Sequence, residues 1–399
     1  MAGRLALREG FTTGSAATGA VLAALSLLVT GEAPTRVAVP LPPFAPDGQP
    51  RDWLTLAVAH CAAQPAPCLD ASAFPREGVA HATIIKDGGD DPDVTSGLPV
   101  NATVALAAMP DCQMAGHRPR IALHGGPGVG RVTLPGLPVP VGEAAINPGP
   151  AEQIRRAIWL WLETRGLPCP ELDVTISVEG GAAVAAKTFN PRLGIVGGIS
   201  ILGTQGTVRP FSHEAFRATI LEGLAVAQRV DPSCVCLTTG RRSEKLLMQA
   251  LPHVAAHNFV QVADFAQFAL EQAGTHGFAR IVWGCFFGKL LKLAQGLPNT
   301  HAHEGLMDMT LLTGLCRELG GVSDEGLAAI ASATTAAQAL ELLLAEPGAA
   351  SILARIAAQA GSVASRFAGQ RVELFLFHTD GRLLCGPQDT TPAAGARQG

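Results

Sequence analysis

The chain has 399 residues, room for two or three domains. With 29 Lys and Arg against 33 Asp and Glu, the formal net charge is −4, which argues against a general nucleic-acid binder. Apolar residues make up 48% and charged residues 16%, enough to bury large cores and an interface with a further copy of the chain, and not the composition of a disordered protein. There is no tyrosine, so a tyrosine acid or base is excluded. The 9 cysteines contain no C-x-x-C pair, which fits a reducing compartment and disfavours a disulfide framework or a structural zinc site.

The apolar run from Ala16 to Val29 is too short to span a bilayer and is interrupted by Thr18, Gly19 and Ser26. Arg4 and Arg8 precede it, as in a signal peptide, but Glu9, Thr12, Thr13 and Gly14 intervene, so a cytoplasmic protein without membrane contact is expected. Thr12-Thr13-Gly14-Ser15 instead predicts an N-capped helix from Ser15 to Val29. A Pro-rich loop follows from Pro40 to Pro50. Strands are expected at Leu54–His60, His81–Lys86, Val100–Ala107, Arg120–Leu123 and Val174–Val178, with a helix over Ala151–Arg165 and a short one over Ala182–Lys187. Leu193–Leu202 is apolar with three glycines, a pattern that does not suit an exposed strand, and His213–Arg229 reads as a helix.

From Ser233 the rhythm becomes strand, loop, helix: strands at Cys234–Leu237, Phe259–Val262 and Arg280–Trp283, with loops at Thr238–Ser243 and Gly284–Lys289, each followed by a helix. Short strands alternating with helices predict a parallel α/β sheet. Thr334–Gln359 reads as helical, and Val372–Leu384 as one or two strands about Thr379-Asp380-Gly381. The division expected is an α+β domain over 1–230, a smaller α/β domain over 231–386, and a disordered tail over 387–399.

Several constellations bear on chemistry. The Thr12 helix start offers backbone N–H groups to an anion, or is a plain cap. Lys86-Asp87-Gly88-Gly89-Asp90-Asp91-Pro92-Asp93 crowds four carboxylates, which suits proton transfer or a divalent cation, or is a solvated turn held by Asx hydrogen bonds. The junctions at Gly240 and Gly284 lie where open α/β sheets bind ligands, and Asp264 is placed to grip a ribose hydroxyl. Both glycine loops fail phosphate motifs, so a nucleoside without phosphates is easier to accommodate. His301-Ala302-His303 with Glu304 and Asp308 is a weak metal pattern, and a histidine at a site wall is the preferred reading. Arg131, Lys187, Arg192, Arg209, Arg241, Arg242, Lys245, Lys289 and Lys292 stand beside flexible backbone, suited to carboxylates or simply to solubility.

On these and longer stretches the chain resembles the cobalt-precorrin-5B C1-methyltransferase family of anaerobic cobalamin synthesis. The matching segments include Leu7–Ser15, Lys86–Thr95, Gly128–Thr133, Pro135-Gly136-Leu137, Val139–Pro148, Thr188–Thr204, Gly288-Lys289-Leu290 and Asn299-Thr300-His301, spread over about residues 5 to 345. Cys285-Phe286-Phe287 and Arg241-Arg242 depart from the small polar residues expected there. The resemblance implies methyl transfer from S-adenosylmethionine to a ring carbon of a cobalt–tetrapyrrole. It implies a first domain like the second domain of ribosomal protein S5; the strand–helix rhythm itself makes the second domain Rossmann-like, and S-adenosylmethionine is placed on that side. The cobalt is then held by the substrate, and no protein metal site is expected.

The chemistry agrees with this implication: a sulfonium nucleoside suits Thr238, Thr239, Gly240, Asp264, Gly284 and Gly288, and a carboxylate-fringed ring suits Thr12, Thr13, Gly14, Ser15, Lys86, Arg131, Arg192 and Arg209. An in-line displacement demands alignment above all, with Asp90, Asp91 or His301 to accept a proton or steer the ring. A non-enzymatic corrinoid carrier and a small-molecule phosphotransferase are the alternatives.

Overall fold

Thr12 leaves the extended entry segment at φ −75°, ψ 164°, and its side chain accepts the Ser15 N–H at 3.1 Å, starting the Thr13–Thr30 helix. Gly31 ends it in the left-handed region at φ 78°, with its N–H on Leu27 O. This helix is long and apolar enough to cross a membrane by length and composition, yet 78% of that window is buried inside the fold. It is a core helix. The computed structural model describes residues 7–64, 78–108, 120–168, 170–301 and 309–387, and the chain is a mixed α/β protein with several sheets. It divides into two units, 1–213 and 214–399.

In the first unit a five-stranded sheet runs His60–Gln64, Val79–Ile85, Pro99–Ala108, Glu171–Val178, Ile121–Gly125. The last pair is parallel and the others antiparallel. Alternation along Val79–Ile85 and Glu171–Val178 turns every second side chain inward. That face receives the Thr13–Thr30 and Pro148–Glu163 helices. Leu22, Leu25, Ile84, Val104, Ile154, Ile158 and Ile176 form one core, each large side chain contributing about 1.5–3 kcal/mol by leaving water. The opposite side of the Thr13–Thr30 helix is covered by a hairpin, Arg36–Leu41 with Asp52–Ala57, so the helix is apolar on all sides. Gly19 permits the approach: a side chain there would come within 3.0 Å of Leu56 Cδ1 and 3.3 Å of Ile84 Cγ1. The strand Arg36–Leu41 runs through Pro40 into the stretch expected to be a loop.

In the second unit the sheet order is Phe259–Gln261, Val235–Thr238, Ile281–Phe286, Val372–Phe377, Leu383–Cys385, the first four parallel and the last antiparallel. The Arg241–Ala250 helix, which follows Val235–Thr238, packs on the face carrying Cys236, Val282 and Phe375. The helices after Phe259–Gln261 and Ile281–Phe286, Ala266–Thr275 and Phe287–Ala294, pack with Ala349–Ala368 on the other face, around Leu237, Trp283 and Leu374. The crossing helices therefore change face between two neighbouring strands, Val235–Thr238 and Ile281–Phe286. His213–Val230 joins this second core through Ile220, Leu224 and Ala227, so the unit division falls at 213/214, one helix earlier than residue 230. The helical stretch expected over 334–359 consists of two helices, Ala336–Leu344 and Ala349–Ala368, broken at Pro347-Gly348. Met309–Leu319 and Asp324–Ala331 are additional helices. The expected tail lies outside the described residues beyond Pro387.

Candidate active site

Where the crossing helices change face, a parallel sheet opens a crevice at the carboxyl ends of its strands. Thr238 ends its strand there, fully buried, and among the described residues its Oγ1 has no hydrogen-bond partner. Thr239 Oγ1 lies 3.3 Å from Ser243 Oγ, which donates to Gly240 O at 2.9 Å. Gly240 is extended, at φ 161°, and a side chain added to it would meet open space. The two helices that start at this edge, Arg241–Ala250 and Phe287–Ala294, have no side-chain cap at Gly240 or Phe286. Gly288 is in the first turn of the second, 3.1 Å from Ala336 Cβ for an added Cβ.

Gly284 is not in a loop. It lies inside the strand, opposite Thr238 on one side and Phe375 on the other. Cys285 and Phe286 are good strand formers and extend the strand past the glycine. An added Cβ would come within 2.9 Å of Leu247 Cδ2, so Gly284 makes room for the helix packed on that face and does not face a ligand loop.

Asp264, expected to be available to a ribose, is tied into the protein. Its Oδ1 accepts from the Lys289 ammonium and from Thr300 Oγ1 at 3.2 Å, and its carbonyl accepts the Thr300 N–H at 2.9 Å. Lys289 also donates to Thr300 O at 3.1 Å. Among the described residues, Asp264 Oδ2 accepts no hydrogen bond. His301 is exposed; its N–H donates to Asn299 Oδ1 at 3.0 Å and its carbonyl accepts from Lys292 Nζ at 2.6 Å. Burial, with the neighbouring Lys289 charge, pushes the Lys292 ammonium below the usual lysine range. Ala302, His303, Glu304 and Asp308 lie outside the described residues. Among the described residues no three His, Cys, Asp or Glu gather as metal ligands.

In the first unit the Thr12-Thr13-Gly14-Ser15 corner is buried, and several of its polar groups are bonded within the fold. Thr12 N–H donates to Gly206 O at 3.0 Å and Gly14 N–H to Leu202 O at 3.1 Å. Thr13 Oγ1 accepts the Leu202 N–H at 2.9 Å, and Ser15 Oγ donates to Gly206 O at 2.8 Å. The carbonyls of Leu202 and Gly206 thus stand where an anion was expected. Lys86, 2% exposed, pairs with Asp93 and does not reach solvent.

The carboxylates of the acidic turn hold backbone N–H groups. Asp87 Oδ1 accepts from Gly89 at 2.8 Å, Asp90 Oδ2 from Arg8 at 2.7 Å, Asp91 Oδ1 from Phe211 at 2.9 Å and Asp93 Oδ1 from Thr95 at 2.8 Å. Hydrogen bonds from the Arg8 guanidinium and from Gly89 hold the Asp87 carboxyl below its usual range. Of the expected cations, Arg131 donates to Gly142 O, and its strand residue faces Val196, on the segment that also carries Arg192. Arg209 pairs with Glu9 at 3.3 Å on the surface.

Sequence reasoning missed three features. Buried Glu244 accepts from Gln261 Nε2 at 2.6 Å beside the crevice. His378, just past the Val372–Phe377 strand, is buried between Glu341 Oε1 at 2.6 Å and Asp380 Oδ1 at 2.8 Å. Its place at a strand's carboxyl end, before a Thr-Asp-Gly turn, was a readable signal. Phe211 has φ 56° and is 66% exposed.

Comparison with known proteins adds to this geometry. The family model described as CbiD matches residues 2–210, and that described as CbiD, C-terminal domain, matches 299–387. The cobalt-precorrin-5B C(1)-methyltransferase of Nitratidesulfovibrio vulgaris is 46% identical over 383 residues, covering 96% of this chain and 93% of that protein. The protein of the same name from Geobacillus kaustophilus is 43% identical over 337 residues, covering 84% and 82%. The 1.9 Å crystal structure of the cobalamin biosynthesis protein CbiD from Archaeoglobus fulgidus matches with 25% identity and a TM-score of 0.35, covering 72% of this chain and 79% of that one. Matched over both of its ends by the family models and along nearly its whole length by a relative, this chain belongs to the CbiD family.

Proposed function

We propose that this chain transfers a methyl group from S-adenosylmethionine to C-1 of cobalt-precorrin-5B, a step of cobalamin synthesis. The observation that carries the reading is the 46% identity over 96% of the chain to a protein of that activity. We read the second unit as Rossmann-like, supported by its four parallel strands and by helices that change face beside Thr238. We read the first as related to the second domain of ribosomal protein S5, supported by a five-stranded sheet with its helices on one face.

The crevice at Thr238 fits the donor. The buried Thr238 Oγ1 has a hydrogen bond left to make, the space over Gly240 is open, and two uncapped helix starts offer N–H groups to a carboxylate without any phosphate motif. S-adenosylmethionine supplies, when bound, an electrophilic methyl group on a sulfonium. Thr238, Thr239, Gly240 and Gly288 are assigned to hold it. Asp264, with Oδ1 anchored by Lys289 and Thr300, is assigned to accept a ribose hydroxyl at Oδ2. Arg131, Arg192 and Arg209 are assigned to the acidic arms of the ring.

The residues of this chain bind and orient; the displacement itself asks for little acid–base help. Asp90 and Asp91 each engage an oxygen on a backbone N–H, which favours holding the turn over moving a proton. The test is incubation of the purified chain with labelled S-adenosylmethionine and cobalt-precorrin-5B. Label is expected in the macrocycle. Binding of the ring with no uptake of donor would identify a carrier instead, and magnesium-dependent ATP binding a phosphotransferase.

A further inference from the structure

Phe211 is placed badly for the stability of its own fold. Its backbone is in the left-handed region at φ 56°, directly after Pro210, where a turn ordinarily takes glycine. For a bulky residue this is a strained conformation. The residue is 66% exposed, so burial does not offset the strain. The surrounding structure holds it there. Asp91 Oδ1, far away in sequence, accepts the Phe211 N–H at 2.9 Å, and Gly10–Phe11 pairs with Thr207–Val208 just before it. Strain maintained by a dedicated carboxylate, with an aromatic ring left in water, points outward from the fold.

The surroundings define what the ring would meet. Leu7 and Val94, exposed at 54% and 45%, flank the same acidic turn. Leu7 precedes Arg8, whose N–H and carbonyl both bond Asp90. Among the described residues, Arg8 and Arg209, with side chains 59% and 65% exposed, pair with surface carboxylates, Asp87 and Glu9. Such exposed pairs are worth little and exchange readily for another carboxylate. The remaining carboxylates, Asp90 and Asp91, repel acidic groups. The surface thus offers an apolar aromatic face and two guanidiniums at defined places, and rejects acidic arms elsewhere.

From this we infer that Phe211 stacks on the face of the tetrapyrrole substrate, with Asp91 as the positioning residue that holds it and Arg8 and Arg209 fixing which acidic arms lie at that edge. The inference rests on the proposed methyl-transfer reading and deepens it. A large flat ring with carboxylate arms matches an exposed aromatic flanked by arginines.

The test compares wild type with Phe211→Ala, Phe211→Gly and Phe211→Trp, measuring KM for cobalt-precorrin-5B, KM for S-adenosylmethionine, thermal midpoint and mass in solution. Phe211→Ala is expected to raise the ring KM roughly tenfold and leave the donor KM and kcat within about twofold. Phe211→Gly is expected to match that loss while melting at or above the wild-type temperature, because it relieves the strain. Phe211→Trp restores the ring KM. A ring KM unchanged in Phe211→Ala overturns the inference, as does a change of oligomeric state without a change of ring KM, which would mark a contact between copies. A sharply lowered melting temperature in Phe211→Gly also overturns it, by making the ring structural. Methylation by wild type with a neutral Phe211→Ala removes this inference alone; no methylation by wild type removes the functional reading and the inference with it.

Discussion

The Lys86 ammonium, 2% exposed, is ion-paired with Asp93, itself 19% exposed, between the end of the Val79–Ile85 strand and the turn that leads to Pro99–Ala108. The lysine that looked suited to a substrate carboxylate is instead closed into the fold. Burial alone would raise the Asp93 carboxyl; the Lys86 charge and hydrogen bonds from Lys86 and Thr95 outweigh it and leave it below the usual carboxylate range. Removing one partner of a buried pair leaves an uncompensated charge. Lys86→Ala is therefore expected to destabilise by about 3 kcal/mol in chemical denaturation at neutral pH, while KM for the ring stays at the wild-type value in whatever protein remains folded.

The same pair sets an acid limb. Because the Asp93 carboxyl is held below its unfolded value of about 4, its contribution is complete above that pH and is lost as pH falls through the lower folded value. Denaturation midpoints between pH 5 and pH 2 are expected to fall more steeply in wild type than in Asp93→Asn. Parallel curves would show that the pair carries no such linkage.

The Thr12 corner makes the contrasting case for the sequence. A threonine before an apolar run is a legible helix start, and the helix begins there. What fills its N–H groups was not legible, because Leu202 and Gly206 come from a segment far along the chain. The strand–helix rhythm of the second unit was readable from Val235 to Phe286, but Gly284 was read as a loop because a glycine in a short apolar run looks the same in either setting. Only the Leu247 side chain, packed from the helix above, explains it. The Arg36–Leu41 strand was hidden by Pro40 in a proline-rich stretch, where the edge of a two-stranded hairpin tolerates it. The helical stretch over 334–359 was legible, and Pro347-Gly348 divides it into two helices.

Gly240 and Gly284 should therefore behave oppositely. Gly240→Val places a side chain in open space on extended backbone, so the fold is expected to melt within a few degrees of wild type while KM for S-adenosylmethionine rises at least several-fold. Gly284→Ala meets Leu247 at 2.9 Å and is expected to cost about 1–3 kcal/mol by overpacking. Adding Leu247→Ala is expected to remove that specific clash, giving a double mutant less destabilised than the two single effects summed. Equal donor KM for Gly240→Val and wild type would take the crevice out of donor binding.

A loss of stability at the opposite end of the pH scale is built around His378. The buried imidazole is bonded at both nitrogens, to Asp380 and to Glu341, and these two hydrogen bonds, Asp380 first, raise its pKa above the ordinary 6.5. A histidine whose folded pKa is raised contributes fully below the unfolded value and loses that contribution as pH rises through the folded one. Other charges nearby are Arg382, which pairs with Asp380 at 2.7 Å, and Arg242, which reaches Thr379 O at 2.8 Å. Thermal melts from pH 6 to pH 9 are expected to show a decline in wild type that is reduced in Glu341→Gln and absent in His378→Gln, and an NMR titration of the imidazole should place its midpoint above 6.5 in wild type and lower in Glu341→Gln. A wild-type imidazole titrating at or below 6.5 would mean that the two carboxylates do not hold it as a cation.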